Sequence, residues 1–88
     1  MLIDGKNKVI NIIKELKTIS EIDESIDLIE SEFFDSFDII NLVSKIEEEF
    51  KIQINGEEII PENLNTINHI IDLITRIRNE PESNNFTK

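Results

Sequence analysis

The sequence predicts a small all-α domain of three main helices and one short helix, with a long first loop. Three observations predict it. Apolar residues recur at helical spacing in three separate stretches: Val9, Ile10, Ile12, Ile13 and Leu16; Ile39, Leu42, Val43, Ile46 and Phe50; Ile67, Ile70, Ile71, Ile74 and Ile77. The only alternating stretch, Lys51-Ile52-Gln53-Ile54, has no second such stretch to pair with, and a lone strand does not hold. The chain is 88 residues long, which fits a single domain.

The first helix is expected over residues 4–18, with Asp4 as its N-cap and Gly5 just inside. Residues 19–35 follow as a connection holding Ile22, Ile26, Leu28 and Ile29. That is too much apolar surface for a free loop, and a structureless loop of this length is unusual in a compact domain. It reads as a loop pinned to the core by those side chains, with one helical turn at most. The second helix is expected over residues 36–50 behind an Asp35 N-cap. At about 100° per residue, Ile39, Leu42, Val43, Ile46 and Phe50 share one arc, and Asp38, Asn41, Lys45, Glu48 and Glu49 oppose it. Ser36, Ile40 and Glu47 fall together on the border between the two. Residues 51–56 read as an extended connection closing in an Asn55-Gly56 turn. A short helical segment over residues 57–64 is interrupted or restarted at Pro61. The last helix spans residues 66–78, capped by Asn65 or Thr66, with Arg76 and Arg78 at its negative end. The folded domain is thus expected over residues 1–79, with residues 80–88 a loose polar tail behind Pro81.

Composition removes most classes of function. Nineteen acidic residues against nine basic ones leave a net charge of -10, which opposes phosphate backbones and anionic membrane surfaces. There is no Cys and one His, so disulfides, thiolate metal sites and the usual nucleophilic triads are missing. No Trp or Tyr is present to stack on nucleobases. No apolar run exceeds three residues, and residues 1–8 lack the apolar core of a secretory leader. A cytoplasmic, monomeric protein with basic partners is expected. Asp23, Asp27 and their acidic neighbours lack the spacing of a calcium loop. His69 falls toward the polar side of the last helix and reads as a surface residue.

The informative stretch is Phe33-Phe34-Asp35-Ser36-Phe37-Asp38-Ile39-Ile40. A Ser in the first turn of a helix is ordinarily a cap. Here Asp35 precedes it and can take that role, which leaves Ser36 free between Phe34 and Phe37.

Asp35-Ser36-Phe37, followed by an amphipathic helix ending in Lys45-Ile46-Glu47-Glu48-Glu49-Phe50, resembles the acyl carrier protein family. Ile52-Gln53-Ile54 resembles the short apolar extension after that helix. Leu64-Asn65-Thr66-Ile67 resembles the entry to the family's last helix. The resemblance covers roughly residues 4–77. It implies an acyl-carrier-like four-helix bundle with 4'-phosphopantetheine attached covalently to Ser36, flanked by Asp35 and Phe37. The arm would hold an acyl or aminoacyl group as a thioester. It also implies a non-enzymatic domain modified by a Mg-dependent phosphopantetheinyl transferase, since the motif holds no His or Lys base for Ser36. A loading ligase and downstream synthases with basic docking patches would be its other partners. Asp35, Asp38, Ile40, Glu47 and Glu48 would form the docking surface, where complementary charge speeds encounter and sets orientation.

The sequence departs from the family pattern at Glu32, Phe33 and Phe34, where many members carry a Gly. Phe37 stands where Leu is commonest. Asn41 and Ser44 replace an acid and a Met often found in fatty-acid carriers. Fatty acyl, polyketide and aminoacyl cargo, such as D-alanyl, therefore stay open. The competing class is an acidic helical interaction module that uses the same face without a prosthetic group.

Overall fold

Helix α1 (Leu2–Lys17) leads into a long loop, and α2 (Ser36–Phe50) follows. A 3-10 turn at Gly56–Glu58 precedes α3 (Pro61–Leu64) and α4 (Ile67–Asn79). The computed structural model describes residues 2–79, with side chains from Gly5 onward. The tail expected at 80–88 lies outside the described residues. All the regular elements among the described residues are helical, and none of the helices is long and apolar enough to cross a membrane. The four helices make the expected acyl-carrier-like bundle.

Helix α1 is the hub. It packs on both α2 and α4, while α3 packs against α4. The core draws on the predicted stripes, with Val9, Ile12 and Ile13 on α1, Leu42, Val43, Ile46 and Phe50 on α2, and Ile67, Ile70 and Ile74 on α4; Leu73, outside the predicted stripe, is buried with them, while Ile10, Leu16, Ile39, Ile71 and Ile77 are only partly buried against this core. No polar or charged side chain among the described residues is buried, so the interior carries no desolvated charge to compensate.

One helix start differs from the sequence expectation, and another selects between its two expected caps. The first helix begins at Leu2, so Asp4 lies inside it rather than capping it. The fourth helix begins at Ile67, with Thr66 as its cap: Thr66 Oγ1 accepts from the His69 N–H at 3.0 Å. Helix α1 ends in a fold-back in which the N–H of Ile19 donates to the Lys14 carbonyl at 3.0 Å, with Thr18 in the left-handed region at φ 54°. This is a Schellman arrangement, normally closed by Gly.

The long loop contains turns but no helix. Leu28 is fully buried and Phe34 nearly so, while Ile22, Ile26 and Ile29 pack against the core from its edge. The loop is also tied by its backbone: the N–H of Leu28 donates to the Asn65 carbonyl at 2.6 Å, and the N–H of Phe34 donates to the Leu28 carbonyl at 2.9 Å. One anchor therefore fastens the loop both to the start of α4 and to the residues just before α2.

Candidate functional site

Asp35 caps α2 in extended conformation, with φ -101° and ψ -175°. Its Oδ1 accepts from the Asp38 N–H at 2.8 Å, and the Asp35 N–H donates back to Asp38 Oδ2 at 3.1 Å. This reciprocal capping box satisfies two backbone donors at once. Ser36 is thereby relieved of capping and opens the helix as an exposed residue. The helix N-terminus carries positive partial charge and its early N–H groups lack intrahelical partners, an environment suited to a phosphodiester anion.

The surroundings of Ser36 are apolar on one side. Phe37 is 69% exposed and Ile40 62% exposed, the two largest exposures among the big hydrophobic residues described. Ile40 lies one turn beyond Ser36 on the same side of the helix, within about 40° of it by helical geometry. Both are thus apolar side chains left uncovered beside a charged helix face.

The acidic residues separate into two kinds. Asp35 and Glu48 are exposed. Asp38 and Glu47 are engaged within the domain. Asp38 Oδ2 accepts from Lys17 Nζ at 2.9 Å as well as from the cap. The Lys17 ammonium, and then the Asp35 N–H, hold its carboxyl below the ordinary carboxylate range. Glu47 Oε2 accepts from the Ile54 N–H at 2.8 Å, stitching the end of α2 to the extended connection after it. Sequence spacing placed Glu47 on the border with Ser36 and Ile40, but gave no sign of this partner seven residues away.

In sequence Phe34 reads as a flank of the motif. It is part of the core, and Phe33 leans against it with ring centroids 5.3 Å apart. Four residues before Ser36, Glu32 occupies the left-handed region at φ 65°. The chain therefore makes the turn that a Gly would ease, with Glu in its place.

The acids of the long loop shape their own turns. Asp23 Oδ1 accepts from the N–H and the hydroxyl of Ser25 at 2.9 and 2.7 Å, and those bonds, the hydroxyl's first, lower its pKa. Asp27 Oδ1 accepts from the N–H groups of Ile29 and Glu30. No group of potential metal ligands occurs among the described residues. His69 is exposed, with its Nδ1 2.6 Å from Asn65 Oδ1.

The family model described as "Phosphopantetheine attachment site" matches residues 7–74. A search of curated proteins finds no match.

Proposed function

The chain belongs to the phosphopantetheine-attachment family, whose domains hold a covalent 4'-phosphopantetheine arm, and from that membership we propose that Ser36 is the residue that bears the arm. One observation carries this assignment. Ser36 is exposed at the first position of α2 while Asp35 and Asp38 supply the cap. Its hydroxyl thus has no capping duty, and the phosphodiester formed on it would sit against a helix N-terminus.

The arm, when present, supplies a terminal thiol on which cargo rides as a thioester. The residues around it orient and present it. Asp35 fixes the direction of the first turn through its bond to the Asp38 N–H. Phe37 and Ile40 offer an apolar surface to partner enzymes. Asp35, Asp38, Glu47 and Glu48 supply negative potential along α2, with Glu48 the most open of the helix acids in this set. Partners would be a phosphopantetheinyl transferase, an acyl- or aminoacyl-loading ligase and the enzymes that consume the cargo, each meeting α2 with a basic patch. Electrostatic docking of this kind gives fast, reversible encounters, which suit a carrier that visits several enzymes. The cargo class we propose is an acyl or aminoacyl group, with the protein working as a cytoplasmic monomer.

Co-expression with a broad-specificity phosphopantetheinyl transferase tests the attachment. Intact mass should rise by one arm in the wild type and stay unchanged in Ser36→Ala. A wild type left unmodified by several transferases would favour a helical interaction module without a prosthetic group.

A further inference from the structure

Lys17 stands 19 residues before Ser36 in the chain, yet it touches both sides of the turn that presents that residue. Its Nζ donates to Asp38 Oδ2 at 2.9 Å, on the helical side of Ser36. The same Nζ lies 5.2 Å from the centroid of the Phe33 ring, on the loop side. Phe33 in turn leans on buried Phe34. The fold-back that ends α1 at Thr18 directs the chain away immediately after Lys17.

We propose that Lys17 is a positioning residue for loading: it clamps the turn carrying Ser36 by holding the Asp38 half of the capping box and the Phe33 ring at the same time. The assignment rests on Ser36 being the attachment residue. Three features support it. The Lys17–Asp38 pair is largely withdrawn from solvent, with side-chain exposures of 26% and 18%, so it is screened less than a fully exposed pair. Asp38 spends one oxygen on both Lys17 and the Asp35 N–H, so the ammonium and the cap hold the same atom. The cation over the Phe33 ring is a second attachment independent of that carboxylate. Without Lys17, the Asp38 carboxylate would be free to turn to water, and Phe33 would lose the cation that ties it to the end of α1.

Loading by a phosphopantetheinyl transferase forms a bond from Ser36 Oγ to phosphorus. Coenzyme A supplies the arm, its adenosine bisphosphate leaves, and the transferase takes the hydroxyl proton. Such a step is sensitive to where the attacking oxygen sits. Loss of positioning should therefore lower kcat for the carrier substrate and leave KM unchanged or lower, since Asp38 becomes a freer docking charge.

The test compares purified wild type, Lys17→Met, Lys17→Arg and Lys14→Met as substrates for one transferase with coenzyme A, at a temperature where all four are folded by circular dichroism. Lys14 is also in the last turn of α1, but makes no ion pair among the described residues. Lys17→Met should lose about tenfold in kcat, Lys17→Arg should recover most of it, and Lys14→Met should match wild type. In Ser36→Ala, which takes no arm, adding Lys17→Met should raise the Asp38 carboxyl titration seen by NMR. An unchanged kcat in Lys17→Met, or a loss shared equally by Lys14→Met, would overturn the clamp while leaving Ser36 as the attachment residue. A wild type that accepts no arm would overturn both.

Discussion

Glu47 closes α2 from the side: its carboxylate accepts the Ile54 N–H at 2.8 Å, while its own carbonyl accepts the N–H of Ile52 at 3.3 Å. One residue thus holds two points of the connection that carries the chain from α2 toward α3. Ile54 is buried, so its N–H has poor access to water if that acceptor is removed. Glu47→Ala should destabilise the domain by about 1–3 kcal/mol. Glu48→Ala, one residue on and exposed, should change stability by less than about 0.5 kcal/mol. Urea unfolding of the two variants checks the contrast. Equal stabilities would mean that the Glu47 bond is replaced by solvent.

Three residues, Thr18, Glu32 and Lys51, lie in the left-handed region without the Gly that such backbone favours, and two of them give a contrast. Thr18 has φ 54° and Glu32 has φ 65°. Relief of the left-handed penalty is worth roughly 1–2 kcal/mol, against about 0.5–1 kcal/mol of added unfolded-chain entropy for Gly. Both Thr18→Gly and Glu32→Gly should therefore stabilise modestly. Thr18→Gly should do so by the larger margin, because a β-branched side chain is the most crowded there. Thermal melts of both variants measure this. Lower melting temperatures would show that the side chains contribute contacts outweighing the strain.

Acid should act through Asp38. Its folded pKa lies below its unfolded value because of Lys17 and the Asp35 N–H. The stability it contributes is full above the ordinary carboxylate value of about 3.9 and is lost as pH falls through the depressed folded value. Lys17→Met removes the larger cause. The stability gap between wild type and Lys17→Met should therefore be widest near neutral pH and shrink below about pH 4. A gap that stays constant through acid would trace the whole effect of Lys17 to packing.

Salt should have opposite effects on folding and on loading. A net charge of -10 on 88 residues repels itself, and screening relieves that repulsion. The same screening weakens steering toward a basic partner. Added sodium chloride should raise the melting temperature and lower kcat/KM for modification, with Glu48→Lys slow at every salt concentration. Salt-independent modification would remove electrostatic docking from the account.

Much of the frame was legible in local sequence. Helix α2 runs Ser36–Phe50 as expected, because Asp35 is a strong cap and the apolar period is unbroken to Phe50. Leu28 was readable as a loop anchor, since a fully exposed Leu in that acidic stretch has no reason to be there. Other features were not readable because they depend on where distant segments meet. The Lys17–Asp38 pair spans 21 residues, and no periodicity links an α1 terminus to an α2 cap. Glu47, Glu48 and Glu49 look alike in sequence, yet Glu47 alone is stitched to Ile54. Phe34 follows no helical or strand period, so nothing local distinguished it as core. Asp4 reads as the start of α1 because Asp is a good capping residue, whereas the helix continues back to Leu2.

The most direct test of the account is the position of the arm. The chain contains six Ser residues, so a mass increase alone does not assign it. Peptide-level mass spectrometry of the co-expressed wild type should find the arm on the peptide containing Ser36, with fragmentation placing it on that residue, and none on Ser31 or Ser44. An arm on any other serine, or an unmodified Ser36 in a chain that has gained mass, would contradict it.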